Sequence, residues 1–199
     1  MRIKAIVFDL DGTLVSPELS VDTYTYFGGK AYRKALERLK NGKITFHQFL
    51  IEGVRSLKGV KAKEIENFVS KNLEKYLKKG AEECIRELHS EMEVGIVTRN
   101  FWTYTKPIAR RLGIGYVECS YFDIIDGKLT GIVEYEIDKP EGIKRIARKM
   151  NVGLKEIAYV DDELSFDFVG ISFLLSPSSK VKNSIKNLYE LPLLIKKLP

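Results

Sequence analysis

Apolar residues crowd the start of the chain at Ile3, Ala5, Ile6, Val7 and Phe8, and the run breaks at two carboxylates, Asp9 and Asp11. Near-continuous runs of this kind mark strands buried on both faces of a parallel sheet. Residues 94–97, 157–160 and 171–175 repeat the pattern, and a shorter strand is predicted over 116–119. Residues 122–137 read as a hairpin turning at Asp126 and Gly127. Between the runs the apolar spacing lengthens to three and four, which predicts helices over 81–90, from beyond Thr98 towards Leu112, and over 140–150. Pro107 must lie in the first turn of its helix or kink it, whereas Pro140 suits a first turn. Polar residues 176–179 lead into a closing helical tail.

Residues 16–78 have another rhythm. Stretches 21–40, 45–57 and 61–78 all read as helical, with Thr45 as an N-cap. Ile65, Phe68, Val69, Leu73, Tyr76 and Leu77 form a stripe at helical spacing. No strand pattern interrupts this block, so an all-helical insert is expected between the first strand and the helix at 81. Elsewhere, strands separated by helices predict an α/β fold with a parallel sheet and right-handed crossovers.

The 199 residues suffice for a sizeable core, and 44% hydrophobic with 30% charged residues fits a soluble globular protein. No apolar stretch approaches the ~18 residues that span a bilayer. Asp9 follows the N-terminus too closely for a signal-peptide core, so a cytoplasmic location is expected. Cys84 and Cys119 show no metal or redox spacing and read as small buried hydrophobes. The net charge of +6 is spread among acidic residues. The densest basic clusters, Arg110-Arg111 and Lys144-Arg145 with Arg148-Lys149, read as solvated helix faces, not a nucleic-acid surface.

Three predicted strands end in polar residues that a parallel sheet brings to one edge: Asp9 and Asp11, Thr98, and Asp161 with Asp162. Lys139 opens a helix nearby. Carboxylates from separate strands make an oxygen-rich site suited to Mg²⁺ and a phosphate. One carboxylate can attack phosphorus and a second can move the proton. A hydroxyl and an ammonium suit the transferring phosphoryl oxygens. A plain surface turn at Asp11 and Gly12 is the competing local reading. Signatures of other hydrolases are missing: no Arg stands six places after either cysteine, and there is no His-Glu-x-x-His helix or Gly-x-Ser-x-Gly elbow. Gly28-Gly29-Lys30 imitates a P-loop only superficially, with Ala31 in the Ser/Thr place. His47 and His89 are isolated and read as surface residues.

With these motifs in this order, the chain resembles the haloacid dehalogenase-like hydrolases over nearly its whole length, and within them the phosphoserine phosphatase-like branch. Asp9-x-Asp11-Gly12-Thr13 is similar to the first family motif, Thr98 to the second, Lys139 to the third, and Asp162 with Asp167 to the fourth. The hairpin over 126–131 and the stretch 42–46 resemble the same branch. The resemblance implies a Rossmann-like, doubly wound core over 1–15 and 79–199, with residues 16–78 as a small helical cap domain.

It further implies Asp9, Asp11, Thr98 and Lys139 as the catalytic set. Gly12, Glu18, Thr98, Arg99, Asn100 and Lys139 become substrate contacts, and Asp9, Asp11, Asp162 and Asp167 ligands of Mg²⁺. The pattern departs from the family in places. Asp161 takes a glycine position, Arg99 and Asn100 replace glycines, and the Arg that would hold a substrate carboxylate aligns with Gly53. Arg55 lies about 200° further round a helix. The expected function is Mg²⁺-dependent hydrolysis of a small phosphorylated metabolite by a monomer or homodimer, with no nucleic-acid or membrane partner. Phosphotransfer, dehalogenation, or a catalytically weak binding or regulatory role remain as alternatives.

Overall fold

A computed structural model of the protein describes residues 2–163, 166–176 and 183–198. The first apolar run forms β1 (Ala5–Phe8), whose four side chains are all buried. It lies at the centre of a seven-stranded sheet with β2 (Glu93–Phe101) on one side and β5 (Ile157–Asp161) on the other. Beyond β2 lie β3 (Tyr116–Ile125) and β4 (Lys128–Tyr135); beyond β5 lie β6 (Ile171–Leu175) and β7 (Ser184–Ile185). Every pairing is parallel except β3 with β4. This is the expected α/β architecture, and β1 stands where the strand order reverses direction, the place where such sheets open a ligand crevice.

Alternation along the strands divides the core in two. Ala5, Val7, Val97, Ile157 and Tyr159 face α6 (Lys139–Met150), which contributes Ile143, Ile146, Ala147 and Met150. Ile6, Phe8, Ile96, Ala158 and Val160 face the opposite way. There they meet α4 (Ala81–His89), α5 (Trp102–Leu112) and α7 (Leu191–Lys196). Cys84 and Cys119 are free and buried, as read from the sequence, and burial pushes both thiols up to about 12.

Residues between β1 and α4 fold as α1 (Glu18–Lys40), α2 (Phe46–Arg55) and α3 (Ala62–Tyr76). The Thr45 side chain accepts from the Gln48 N–H at 3.2 Å while Gln48 Oε1 accepts from the Thr45 N–H at 2.8 Å, a reciprocal cap that starts α2. Ile65, Val69 and Leu73 form the buried stripe of α3. The Gly28-Gly29 pair is a kink within α1, with Gly29 at φ 58° and ψ −140°.

Several boundaries differ from the sequence reading. β2 continues past Thr98 to Phe101, so α5 begins later and Pro107 is its sixth residue, beyond the first turn. The separate strands expected at 116–119 and from 122 onward are one strand, β3, turning at Asp126 (φ 50°) and Gly127 (φ 74°) into β4. The tail contains β7 before its helix, whereas residues 177–179 of the expected polar lead-in lie outside the described residues.

Candidate active site

Asp9 directly follows β1, and its N–H donates to the Val160 carbonyl at 2.8 Å, which extends the parallel register by one residue. Phe8 pairs with Val160, so Asp9 lies beside Asp161 at the C-terminal edge of the sheet. By strand alternation both carboxylates project on the face covered by α6. Lys139, the first residue of α6, meets them there: its Nζ is 2.7 Å from Asp9 Oδ1 and 2.9 Å from Asp161 Oδ2. All three residues are buried. Asp161 also accepts from the Tyr159 hydroxyl and, at 2.8 Å, from the Glu163 N–H.

Beyond Asp9 the chain folds tightly back, with the N–H groups of Thr13, Leu14 and Val15 all donating to the Leu10 carbonyl. Gly12 makes this possible at φ 87°, and a Cβ there would stand 2.1 Å from Asp162 Oδ2. Thr13 Oγ1 lies 3.4 Å from Asp162 Oδ1. Asp11 turns towards the α5 side: Asn100 Nδ2 donates to it at 3.0 Å and the Tyr104 hydroxyl at 2.7 Å. Asn100 Oδ1 in turn accepts from the Tyr24 hydroxyl, and its N–H donates to Thr98 Oγ1 at 3.1 Å. Tyr24 and Tyr104 did not stand out in the sequence, because each occupies a helix position that reads as apolar core.

The charges are far from their aqueous state. Burial pushes the Asp9 carboxyl up to about 7, although Lys139 opposes the shift. Burial also raises Asp11, against the hydrogen bonds from Asn100 and Tyr104, and raises Asp162, which has Asp161 beside it. For Lys139, burial favours the neutral amine, but Asp9 and Asp161 prevail and hold it above the usual lysine range. Asp161 also resists burial and stays below the usual carboxylate range, mainly through Lys139.

Among the described residues, Asp9, Asp161 and Asp162 offer ligand atoms all within 4.8 Å of one another. An all-carboxylate set fits a hard divalent cation. Two expected ligands lie outside this group. The Asp11 carboxylate is held by Asn100 and Tyr104. Asp167 is exposed, and its carbonyl accepts from Lys155, which precedes β5, so the chain has already returned towards the opposite end of the sheet. Asp161, in the glycine place of the motif, stands with Asp162 instead.

These groups close one end of a cavity of about 320 Å³. Of the expected substrate contacts, Thr98, Arg99, Asn100 and Lys139 line it, whereas Gly12, in the tight turn against Asp162, is not among the lining residues. Glu18 does not: it is exposed and accepts from the Ser16 hydroxyl. Arg55 is exposed as well, and Gly53 forms the wall on that helix. The basic clusters at 110–111 and 144–149 include Arg111, Lys144, Arg145 and Lys149, each paired with Glu side chains. His47 and His89 are exposed. Among the described residues, no helix is long and apolar enough to cross a membrane.

Residues 3–170 match the haloacid dehalogenase-like hydrolase family, and the chain belongs to it. It is 29% identical over 190 residues to a phosphoserine phosphatase of Archaeoglobus fulgidus, covering 90% of this chain and 54% of that protein. It is 35% identical over 134 residues to a phosphoserine phosphatase of Streptococcus thermophilus, covering 66% and 61%. The chain thus spans little more than half the length of these two curated relatives. A solved phospho-aspartyl intermediate analogue of phosphoserine phosphatase superposes with a TM-score of 0.69 at 29% identity, covering 88% of this chain and 87% of that one.

Proposed function

We propose that the protein is a Mg²⁺-dependent phosphomonoester hydrolase working through an aspartyl-phosphate, with residues 16–78 as a cap over the reacting groups. The carrying observation is a pair of carboxylates two residues apart with different partners. Burial raises both, but Asp9 faces the Lys139 ammonium on the α6 side, whereas Asp11 is aimed by Asn100 and Tyr104 on the α5 side. That arrangement suits a nucleophile held beside the phosphoryl-binding cation and a separate acid/base.

An Asp9 oxygen attacks phosphorus while the bond to the ester oxygen breaks, and Asp11 delivers its proton to that oxygen. Asp11, now ionised, takes a proton from water, which attacks the phosphorus of the acyl phosphate. Phosphate leaves and Asp9 is regenerated. The Thr98 hydroxyl and the Lys139 ammonium hold the phosphoryl oxygens. Asp9, Asp161 and Asp162 are the residues that would hold Mg²⁺, which neutralises charge on the transferring group when bound. Residues of α1 and α2, among them Ser20, Tyr24 and Leu50, line the cavity opposite.

Phosphate release from p-nitrophenyl phosphate with Mg²⁺ tests this reading. Asp9→Asn should lower kcat by roughly a thousandfold or more, because an amide is no nucleophile. Turnover in that variant near the wild-type rate would sink the mechanism.

A further inference from the structure

Six aromatic rings line the cavity and touch in an unbroken chain. Phe101 stacks on Phe122 with centroids 3.7 Å apart, and Phe122 meets Tyr24 edge-on at 6.4 Å. Tyr24 lies 5.8 Å from Tyr32, Tyr32 5.6 Å from Phe49, and Phe49 6.2 Å from Phe46. Leu50, Val54 and Leu57 fill the spaces beside them. Cavity residues contributed by the helical segment 16–78 carry no charge at all. Asp9, Asp11, Lys139, Asp161 and Asp162 gather at the phosphate end, and the remaining charged residues, Arg99 and Glu163, are exposed. The Arg99 guanidinium lies 5.6 Å over the Phe46 ring. Phe101 joins this wall because β2 runs three residues past Thr98.

We infer that the leaving group of the substrate is apolar and planar, an aromatic alcohol or a similar ring-bearing alcohol, and not a zwitterionic amino acid. This rests on the phosphomonoester reading above. A ring entering the chamber gains edge and face contacts with the aromatic wall and loses apolar area to water. An ammonium and a carboxylate entering it would each leave water against an uncharged helical wall, at a cost of several kcal/mol per ion. The acidic and basic residues that the family resemblance would offer an amino acid, Glu18 and an Arg at position 53, are respectively outside the cavity and replaced by Gly53. That glycine is also hard to fill, since a Cβ would stand 3.2 Å from the Tyr32 ring.

The test compares 2-phenylethyl phosphate, ethyl phosphate and O-phosphoserine with Mg²⁺. The first two release alcohols of nearly equal acidity, so the chemical step does not separate them. The phenylethyl ester should exceed both others in kcat/KM by about 10–100-fold, the range expected for burying one ring. Phe49→Ser should narrow that ratio. Calorimetric binding of 2-phenylethylphosphonate against ethylphosphonate gives the same comparison without turnover. Ring-selective phosphonate binding with no hydrolysis of any ester would keep the chamber's assignment and overturn the hydrolase reading. Hydrolysis of all three esters with phosphoserine equal or better would overturn the inference alone. If that preference vanished in Arg99→Gln, the substrate carboxylate would belong to Arg99.

Discussion

Lys139 carries one positive charge between two buried carboxylates, Asp9 and Asp161, with Asp162 close by. Burial raises Asp9 against the pull of Lys139 and raises Asp162 with Asp161 beside it, while Lys139, the Tyr159 hydroxyl and a backbone N–H keep Asp161 low. Asp11 feels the Lys139 charge but is held on the α5 side by its own partners, Asn100 and Tyr104, which aim it as a proton carrier. Its side-chain donors Asn100, Tyr104 and Ser20 all favour the ionised form. Tyr104→Phe removes one of them, so the Asp11 carboxyl should rise further. The expected outcome is a fall in kcat of about 10–150-fold, in line with the ~1.5–3 kcal/mol of one hydrogen bond to a charged group. The limb of the pH–rate profile that reports Asp11 should move to higher pH, with KM little changed. A profile identical to wild type would remove Asp11 from the proton-transfer step.

The turn after β1 shows how little tolerance the element has. Gly12 needs a positive φ and leaves no room for a Cβ beside Asp162. Gly29, in the kink of α1, needs the positive φ but has open space around it. Gly12→Ala should therefore cost more stability than Gly29→Ala in urea unfolding, by about 1–2 kcal/mol, and should raise the Mg²⁺ requirement by displacing Asp162. Equal losses would mean that backbone strain alone matters.

The apolar runs made β1, β5 and β6 readable from the sequence, as did the strand–helix alternation and the side chains of Asp9, Asp11, Thr98 and Lys139. What was hidden depended on contacts distant in the chain. Arg99 and Asn100 look like loop residues, yet they continue β2 because Phe101 is buried against Phe122. The fourth motif has so few residues before β6 that Asp167 is drawn to the start of β5, leaving Asp161 to complete the acidic group. Motif spacing alone does not reveal that exchange. β7 has two residues, too short for any periodicity.

Charge and packing divide the whole molecule along the sheet. The segment 16–78 is tied to the remainder by main-chain bonds from the 59–62 loop to β4 and the turn before it, and by Glu66–Lys106 at 2.9 Å and Glu74–Arg111 at 3.0 Å. The carboxylates at the sheet edge work against this packing, because the folded chain binds protons there that the unfolded chain does not. Asp9, raised from 3.8 to about 7, contributes stability that is fully present below about pH 4 and is lost as pH rises to about 7. Asp11 and Asp162 are raised and act with the same sign. Glu66 and Glu118 act oppositely. Burial lifts each, but Lys106 with Lys63, and Lys149 with Arg145, bring both below the usual range, so their contributions fade only in acid, below about pH 4.5. Between pH 5 and 8 the active-site carboxylates therefore decide the slope. Metal-free protein should melt at a lower temperature at pH 8 than at pH 5. Mg²⁺ at a hundred times its pH 8 dissociation constant should add about 2.7 kcal/mol at pH 8, and the same concentration should add much less at pH 5, where Asp9 holds its proton and binding weakens. Asp9→Asn should flatten the pH slope and weaken the Mg²⁺ effect together. Scanning calorimetry of wild type and variant, with and without Mg²⁺, reads all three, and a flat metal-free profile in wild type would refute the raised Asp9.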